Sequence, residues 1–143
     1  PDVNGALNET YRVLRIGGRV VILDTDWDSI VWHTTNRPRM NHILSVWDEH
    51  TTDPHLPMTL TKKINQVGFQ VETQLIIPMF NPIFDPNIFS NRLIDLIVPF
   101  VSGRHGVTSD EAVAWAQELR QLGEQEDYFF SLNRYLFIAR KAY

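Results

Sequence analysis

The sequence predicts an α/β fold, in which helices alternate with the strands of one sheet. A segment with helical apolar spacing leads through Gly17-Gly18 into the short apolar run at 19–23, and a second strand-like run follows at 69–77. The segment between these two runs has helical spacing, as does most of the chain after them. A helix that connects two neighbouring strands requires a crossover, so these strands are expected to be parallel.

The first helix and first strand are predicted from residues 3–24. Val3, Leu7, Tyr11 and Leu14 recur at the spacing of one helix face, and the helix should end near Arg15 because the two glycines favour a left-handed turn. The run Arg-Val-Val-Ile-Leu at 19–23 is short and rich in β-branched residues. It is therefore predicted to be a strand that is buried on both faces of a parallel sheet.

Two helices and a second strand follow. Pro38 is expected to begin a helix, and Asp53-Pro54 another, which should end at Gly68. The apolar stripe of the first comprises Met40, Ile43, Leu44 and Trp47, and that of the second comprises Leu60, Ile64 and Val67. Residues 69–77 alternate between apolar and polar, which predicts a strand that Pro78 should end.

The rest of the chain is predicted to be helical at 81–126 and extended at about 128–139. Asp85-Pro86 is expected to start one helix, whose apolar stripe includes Leu93 and Leu96. Thr108 and Glu111 form a capping box for the next helix. Residues 81–126 are interpreted as a helical insertion or lid, and residues 1–143 as the C-terminal part of one domain.

Composition excludes several classes of protein. Thirteen basic and seventeen acidic side chains give a net charge of −4, which argues against a nucleic-acid partner. The chain has no cysteine, so disulfides and thiolate chemistry are excluded, and a reducing cytoplasm is the expected location. No apolar run is long enough to span a bilayer.

Three segments together resemble one protein family. Residues 8–24, from Asn8 through the glycine turn to Asp24, are similar to the helix, turn and fifth strand of class I S-adenosylmethionine-dependent methyltransferases. Residues 64–69, Ile-Asn-Gln-Val-Gly-Phe, resemble the helix that leads into the sixth strand of that family, and residues 130–141 resemble its final strand. The resemblance is strongest to the group that includes ubiquinone-biosynthesis-type methyltransferases, also described as methyltransferase type 11.

The resemblance implies a partial Rossmann-like sheet that contains the last strands of the family, the final one antiparallel. It also implies S-adenosylmethionine as cofactor and a small, apolar or aromatic molecule as methyl acceptor. The glycine-rich loop that holds the cofactor in this family has no counterpart here, so no cofactor-binding residue is assigned. The chain starts at Pro1 inside a helical pattern, and we expect it to be a fragment that is inactive alone.

The candidate substrate-binding residues follow the first strand. Ligands of open α/β sheets bind beyond the carboxyl ends of the strands, and Asp24, Asp26 and Trp27 lie there, followed by Trp32 and His33. The two carboxylates could bind the acceptor or cap the next turn, and Trp27 could wall a pocket or pack in the core. His33 could act as a general base or be a structural histidine.

A metal site is not predicted. Potential ligands cluster at 48–55, but their spacing matches no standard zinc motif, and a solvated helix end explains them. These residues are Asp48, Glu49, His50, Asp53 and His55. Two other functions stay open: a non-catalytic module that forms a homo-oligomer through a bare sheet, and a fragment of a dinucleotide-dependent oxidoreductase.

Overall fold

The structure is a computed structural model, and it describes residues 2–143. In chain order its elements are α1 (Val3–Val13), β1 (Arg19–Thr25), β2 (Val31–Trp32), α2 (Arg37–Trp47), α3 (Pro57–Val67), β3 (Phe69–Asn81), α4 (Phe89–Val101), α5 (Ser109–Glu124) and β4 (Phe130–Lys141). Single 3₁₀ turns occur at Trp27–Ser29 and Asp48–His50. The chain divides into two compact units: residues 2–29, 52–78 and 132–143 form the first, and residues 30–51 and 79–131 form the second.

The sheet of the first unit is organised around β4. β4 pairs antiparallel with β1, with Arg19 opposite Arg140 and Thr25 opposite Arg134. β3 also pairs with β4. The expected antiparallel final strand is confirmed. The first two long strands were expected to be neighbours in the sheet, and this is wrong for the described residues, because β4 is the strand that hydrogen-bonds each of them.

The core of the first unit lies between this sheet and α1 and α3. Leu7 of α1 contacts a cluster that includes Leu60 and Ile64 of α3 and Phe137 of β4. Burying side chains of this size contributes roughly 1.5–3 kcal/mol each, so this cluster anchors both helices on the sheet. The predicted helix stop is confirmed at Gly68, which adopts a left-handed φ of 107°.

The opposite face of β1 is exposed. Val20 and Ile22 pack against the core, whereas Val21 is 61% exposed and Leu23 is 49% exposed. The prediction that this strand is buried on both faces is therefore wrong, because no helix among the described residues covers its odd-numbered side chains. At one end of this face, Glu72 of β3 forms ion pairs with Arg19 and Arg140.

β3 continues through Pro78, which was expected to end it. Proline cannot donate a backbone hydrogen bond, and it is tolerated on an edge strand where that position does not face a partner. β3 is such a strand, because its described partner is β4 alone.

The second unit is helical. Trp32 of β2 packs against Trp115 of α5, with ring centroids 5.5 Å apart, and against Phe130 of β4. Thr108 caps α5 by accepting a hydrogen bond from the Glu111 amide at 3.1 Å, as predicted. The helix expected after Pro86 begins three residues later, because the Asp85 side chain accepts a hydrogen bond from the Asn87 amide and forms a turn there instead.

Other helical predictions differ in detail. Val46 is buried on α2 beside Met40, Ile43 and Trp47. On α4, Leu93 and Ile97 are buried as expected, but Leu96 is 62% exposed. In residues 2–143, each helix is too short or too polar to cross a membrane.

Candidate functional site

The candidate site is at the carboxyl end of β1, in the first unit. Asp26 follows the last strand residue, and its amide donates to the Asn133 carbonyl on β4. The Ser29 hydroxyl accepts a hydrogen bond from the Asn133 amide at 2.8 Å and donates one to the Asp26 carbonyl. These bonds fix the turn that carries Asp26, Trp27 and Asp28 against β4.

A second loop brings His55 to this turn. The Trp27 amide donates to the Pro54 carbonyl at 3.0 Å, which ties the two loops together. The His55 Nδ1 atom lies 3.1 Å from Asp26 Oδ1 and 3.5 Å from Asp28 Oδ2. The Asp26 side chain is 10% exposed, that of His55 is 34% exposed, and that of Asp28 is 62% exposed.

Asp24 was expected to follow the first strand, but it lies inside β1 as the penultimate residue, because the strand pairing with β4 continues to Thr25. Its Oδ1 accepts a hydrogen bond from the Thr25 amide at 2.9 Å. Partial burial raises the pKa of Asp24 above its ordinary value, and the nearby Asp53 carboxylate adds to this, while the Thr25 hydrogen bond opposes it. The carboxyl end of β1 is therefore rich in negative charge.

An apolar groove runs along the face of β1 that carries Val20 and Ile22. Its volume is about 280 Å³, and its lining includes Val20 and Ile22 of β1, Leu7 of α1 and Leu60 of α3. Strand alternation places Asp24 on the same face as Ile22. Leu56, which also lines the groove, is adjacent to His55 in the chain. The groove can take an apolar group of a few ring atoms, and Asp2 is the carboxylate among its lining residues.

The other two predicted site residues belong to the second unit. Trp32 is 1% exposed, and its Nε1 donates to the Tyr128 hydroxyl at 3.1 Å. His33 is exposed, and its Nε2 lies 3.1 Å from Asp127 Oδ2. Both residues line a cavity of about 420 Å³ with Arg37, Tyr128 and Phe129. Their role in substrate binding stays a prediction.

The potential ligands at 48–55 do not form one group. Asp53 and His55 belong to the first unit, whereas Asp48, Glu49 and His50 belong to the second. His50 stacks on Trp47, and Glu49 pairs with His105 at 2.8 Å. Sequence reasoning grouped His55 with its neighbours in the chain and missed its contact with Asp26. The one available signal was that His55 lies two residues before α3, just as Asp26 lies just beyond the end of β1.

Comparisons with known proteins agree with this fold. No protein-family model matches the sequence, and no curated protein matches it. A crystal structure from Bacillus halodurans C-125, named as a "putative methyltransferase", superposes with a TM-score of 0.52 and 18% sequence identity. The match covers 100% of this chain and 59% of that chain, so this chain spans less than two thirds of the length of that protein.

The chain therefore has a methyltransferase-like fold. Among residues 2–143, however, no glycine with a left-handed backbone directly follows a strand: Gly17 follows α1, Gly68 follows α3, and Gly103 and Gly106 lie between α4 and α5. A nucleotide-binding loop requires a glycine turn between a strand and a helix. The described residues by themselves do not fit S-adenosylmethionine.

Proposed function

We propose that this chain is the acceptor-binding part of an S-adenosylmethionine-dependent methyltransferase of the ubiquinone-biosynthesis type, located in the cytoplasm. The observation that carries the proposal is the position of the Asp24, Asp26 and His55 side chains in a methyltransferase-like fold. Asp24 is the penultimate residue of β1, and Asp26 and His55 lie beyond its carboxyl end, where open α/β sheets bind their ligands. Because the described residues do not fit the cofactor, we propose that residues outside this sequence bind it.

The acceptor we propose is a small molecule with an apolar or aromatic body and one polar group. The groove of about 280 Å³ supports the apolar body, because its lining is mainly aliphatic. The carboxylates support the polar group, since an ionised carboxylate accepts hydrogen bonds from a hydroxyl or amine. Asp26 is the best placed of these because it is largely buried and held by two loops.

Asp26 and His55 would act as a pair. With Nδ1 protonated, the imidazole donates to Asp26 Oδ1, and this bond fixes the plane of the ring. A fixed ring next to a carboxylate can orient an acceptor hydroxyl or accept its proton. Trp27, which is half-buried in the same turn, is proposed to border the acceptor.

The experiment is a methyl-transfer assay on the complete gene product. Asp26→Asn should lower kcat/KM at least tenfold, which is about 1.4 kcal/mol of transition-state stabilisation. Asp110→Asn, on the exposed start of α5, is the matched control and should leave the rate unchanged. Equal rates for Asp26→Asn and the wild type would show that Asp26 does not contribute to binding or activating the acceptor.

A second candidate function is self-association without catalysis. The exposed Val21 and Leu23 side chains lie opposite Ile138 and Leu136 of β4, so they form an apolar strip across two strands. Exposed apolar surface of this kind favours contact with another protein surface. Light scattering should then show a dimer that Val21→Lys converts to a monomer, whereas a wild-type monomer at high concentration would rule this function out.

A further inference from the structure

We propose that Asp26, Asp28 and His55 bind a divalent transition-metal ion, with Zn²⁺ the best match. The three side chains each offer one ligand atom, and these atoms all lie within 4.8 Å of one another. The site would be built from two loops of the first unit. It uses the same Asp26 and His55 atoms as the hydrogen-bonded pair described above, so the ion would replace the proton on His55 Nδ1. Its binding can be measured without a methyl-transfer reaction.

The distances between the ligand atoms suit one small ion. Zinc binds imidazole nitrogen and carboxylate oxygen at roughly 2.1 Å, so neighbouring ligands lie about 3.0 Å apart at right angles and about 3.4 Å apart in a tetrahedron. His55 Nδ1 is 3.1 Å from Asp26 Oδ1 and 3.5 Å from Asp28 Oδ2. An ion can therefore contact all three side chains after small rotations of the exposed Asp28.

The burial of Asp26 provides a further indication. Asp26 is the most buried residue of the three, and its Oδ1 lies within hydrogen-bond distance of the Asp28 amide and of His55 Nδ1. A largely buried carboxylate is normally hydrogen-bonded or binds a metal, since its desolvation is costly.

The charge balance of the two loops also favours a cation. His55 forms ion pairs with both Asp26 and Asp28, so one imidazole is shared by two carboxylates. The Asp53 carboxylate adds negative charge near Asp24, the penultimate residue of β1. A divalent ion would offset this excess negative charge, which a neutral ligand cannot do.

The ligand types favour zinc over magnesium or calcium. Magnesium and calcium prefer oxygen ligands alone, whereas imidazole suits zinc and its neighbours in the first transition row. Three protein ligands leave the fourth position of zinc open to water or to another ligand, as in zinc sites that take part in reactions. The Trp27–Pro54 backbone bond holds both loops together before the ion binds, so little ordering is needed.

The test is calorimetric titration of the untagged, EDTA-treated chain with ZnCl₂. One ion should bind per chain, and Asp26→Asn, Asp28→Asn and His55→Gln should each weaken binding roughly tenfold or more. His105→Gln is the matched control, because His105 pairs with only one carboxylate, Glu49, and is more exposed. The zinc affinity of the His105→Gln variant should equal that of the wild type.

Asp28→Asn keeps the test valid if another variant fails to fold, since Asp28 is largely exposed; circular dichroism checks the fold of each variant. The proposal is overturned if the wild type shows no saturable heat with ZnCl₂ up to millimolar concentration. It is also overturned if the folded Asp28→Asn chain binds as tightly as the wild type, or if His105→Gln weakens binding equally. Magnesium chloride should bind more weakly than ZnCl₂, and equal binding would contradict the role given to the imidazole.

Discussion

Glu118 of α5 accepts several short hydrogen bonds in the second unit, and replacing it by glutamine tests how that unit is stabilised. Its carboxylate accepts hydrogen bonds from the Thr34 hydroxyl at 2.8 Å, from the Thr35 amide at 2.6 Å and from the Arg39 guanidinium at 2.5 Å. The side chain is 12% exposed. These bonds join the loop before α2 to the middle of α5.

The contribution of Glu118 to the free energy of unfolding follows from the pKa of its carboxyl group. Burial of the carboxyl opposes ionisation, but the bonds from Arg39, Thr34 and Thr35 outweigh it and lower the pKa from 4.5 to about 2. A difference of about 2.5 pKa units at ~1.4 kcal/mol each corresponds to roughly 3 kcal/mol of folding free energy. Because the folded pKa is the lower one, this contribution is complete above about pH 4.5 and is lost as the pH falls towards 2.

The assay is urea unfolding followed by circular dichroism at pH 7 and at pH 2. At pH 7, Glu118→Gln should lower the free energy of unfolding by about 3 kcal/mol, and at pH 2 most of the difference should disappear. Glu124→Gln is the control, because Glu124 is exposed near the end of the same helix. If Glu118→Gln lowers the free energy of unfolding by less than about 0.5 kcal/mol at pH 7, as surface substitutions usually do, the stabilising role given to Glu118 is refuted.

Two further predictions concern single polar groups. Asp24→Asn should raise the melting temperature at pH 7, because the raised pKa of Asp24 means that its ionised form disfavours the fold; the gain should vanish below pH 3.8, where the carboxyl is protonated in both states. An unchanged or lower melting temperature at pH 7 would contradict this. Tyr128→Phe removes the acceptor for Trp32 and the donor to Ser90, both buried, and should cost about 1–3 kcal/mol in urea unfolding, whereas Phe129→Leu, at an exposed neighbour, should cost less.

The sequence predicted those features of the fold that depend on local chemistry. Gly68 was identified as a helix stop because glycine adopts a left-handed φ without strain, and Thr108 was identified as a cap because its hydroxyl can accept from the third amide after it. The course of β3 through Pro78 depends instead on which edge of the strand is paired. That information belongs to the tertiary structure and is not in the local pattern.

The candidate site was predicted only in part for the same reason. Asp24 and Asp26 were identified because they follow the apolar run at 19–23, but β1 continues to Thr25, so only Asp26 lies beyond its end. His55 was missed as a site residue because 29 residues separate it from Asp26. The exposure of Val21 and Leu23 was also missed, since an apolar run predicts burial but does not reveal which elements cover it.

Binding of S-adenosylmethionine tests the central claim most directly, because it needs no knowledge of the acceptor. In calorimetric titrations, the complete gene product should bind S-adenosylmethionine saturably, and this 143-residue chain should give no saturable heat up to millimolar ligand. Saturable binding by the chain alone would mean that residues 2–143 form a cofactor site without a glycine-rich loop. Absence of binding by the complete product would contradict the proposal that it is an S-adenosylmethionine-dependent methyltransferase.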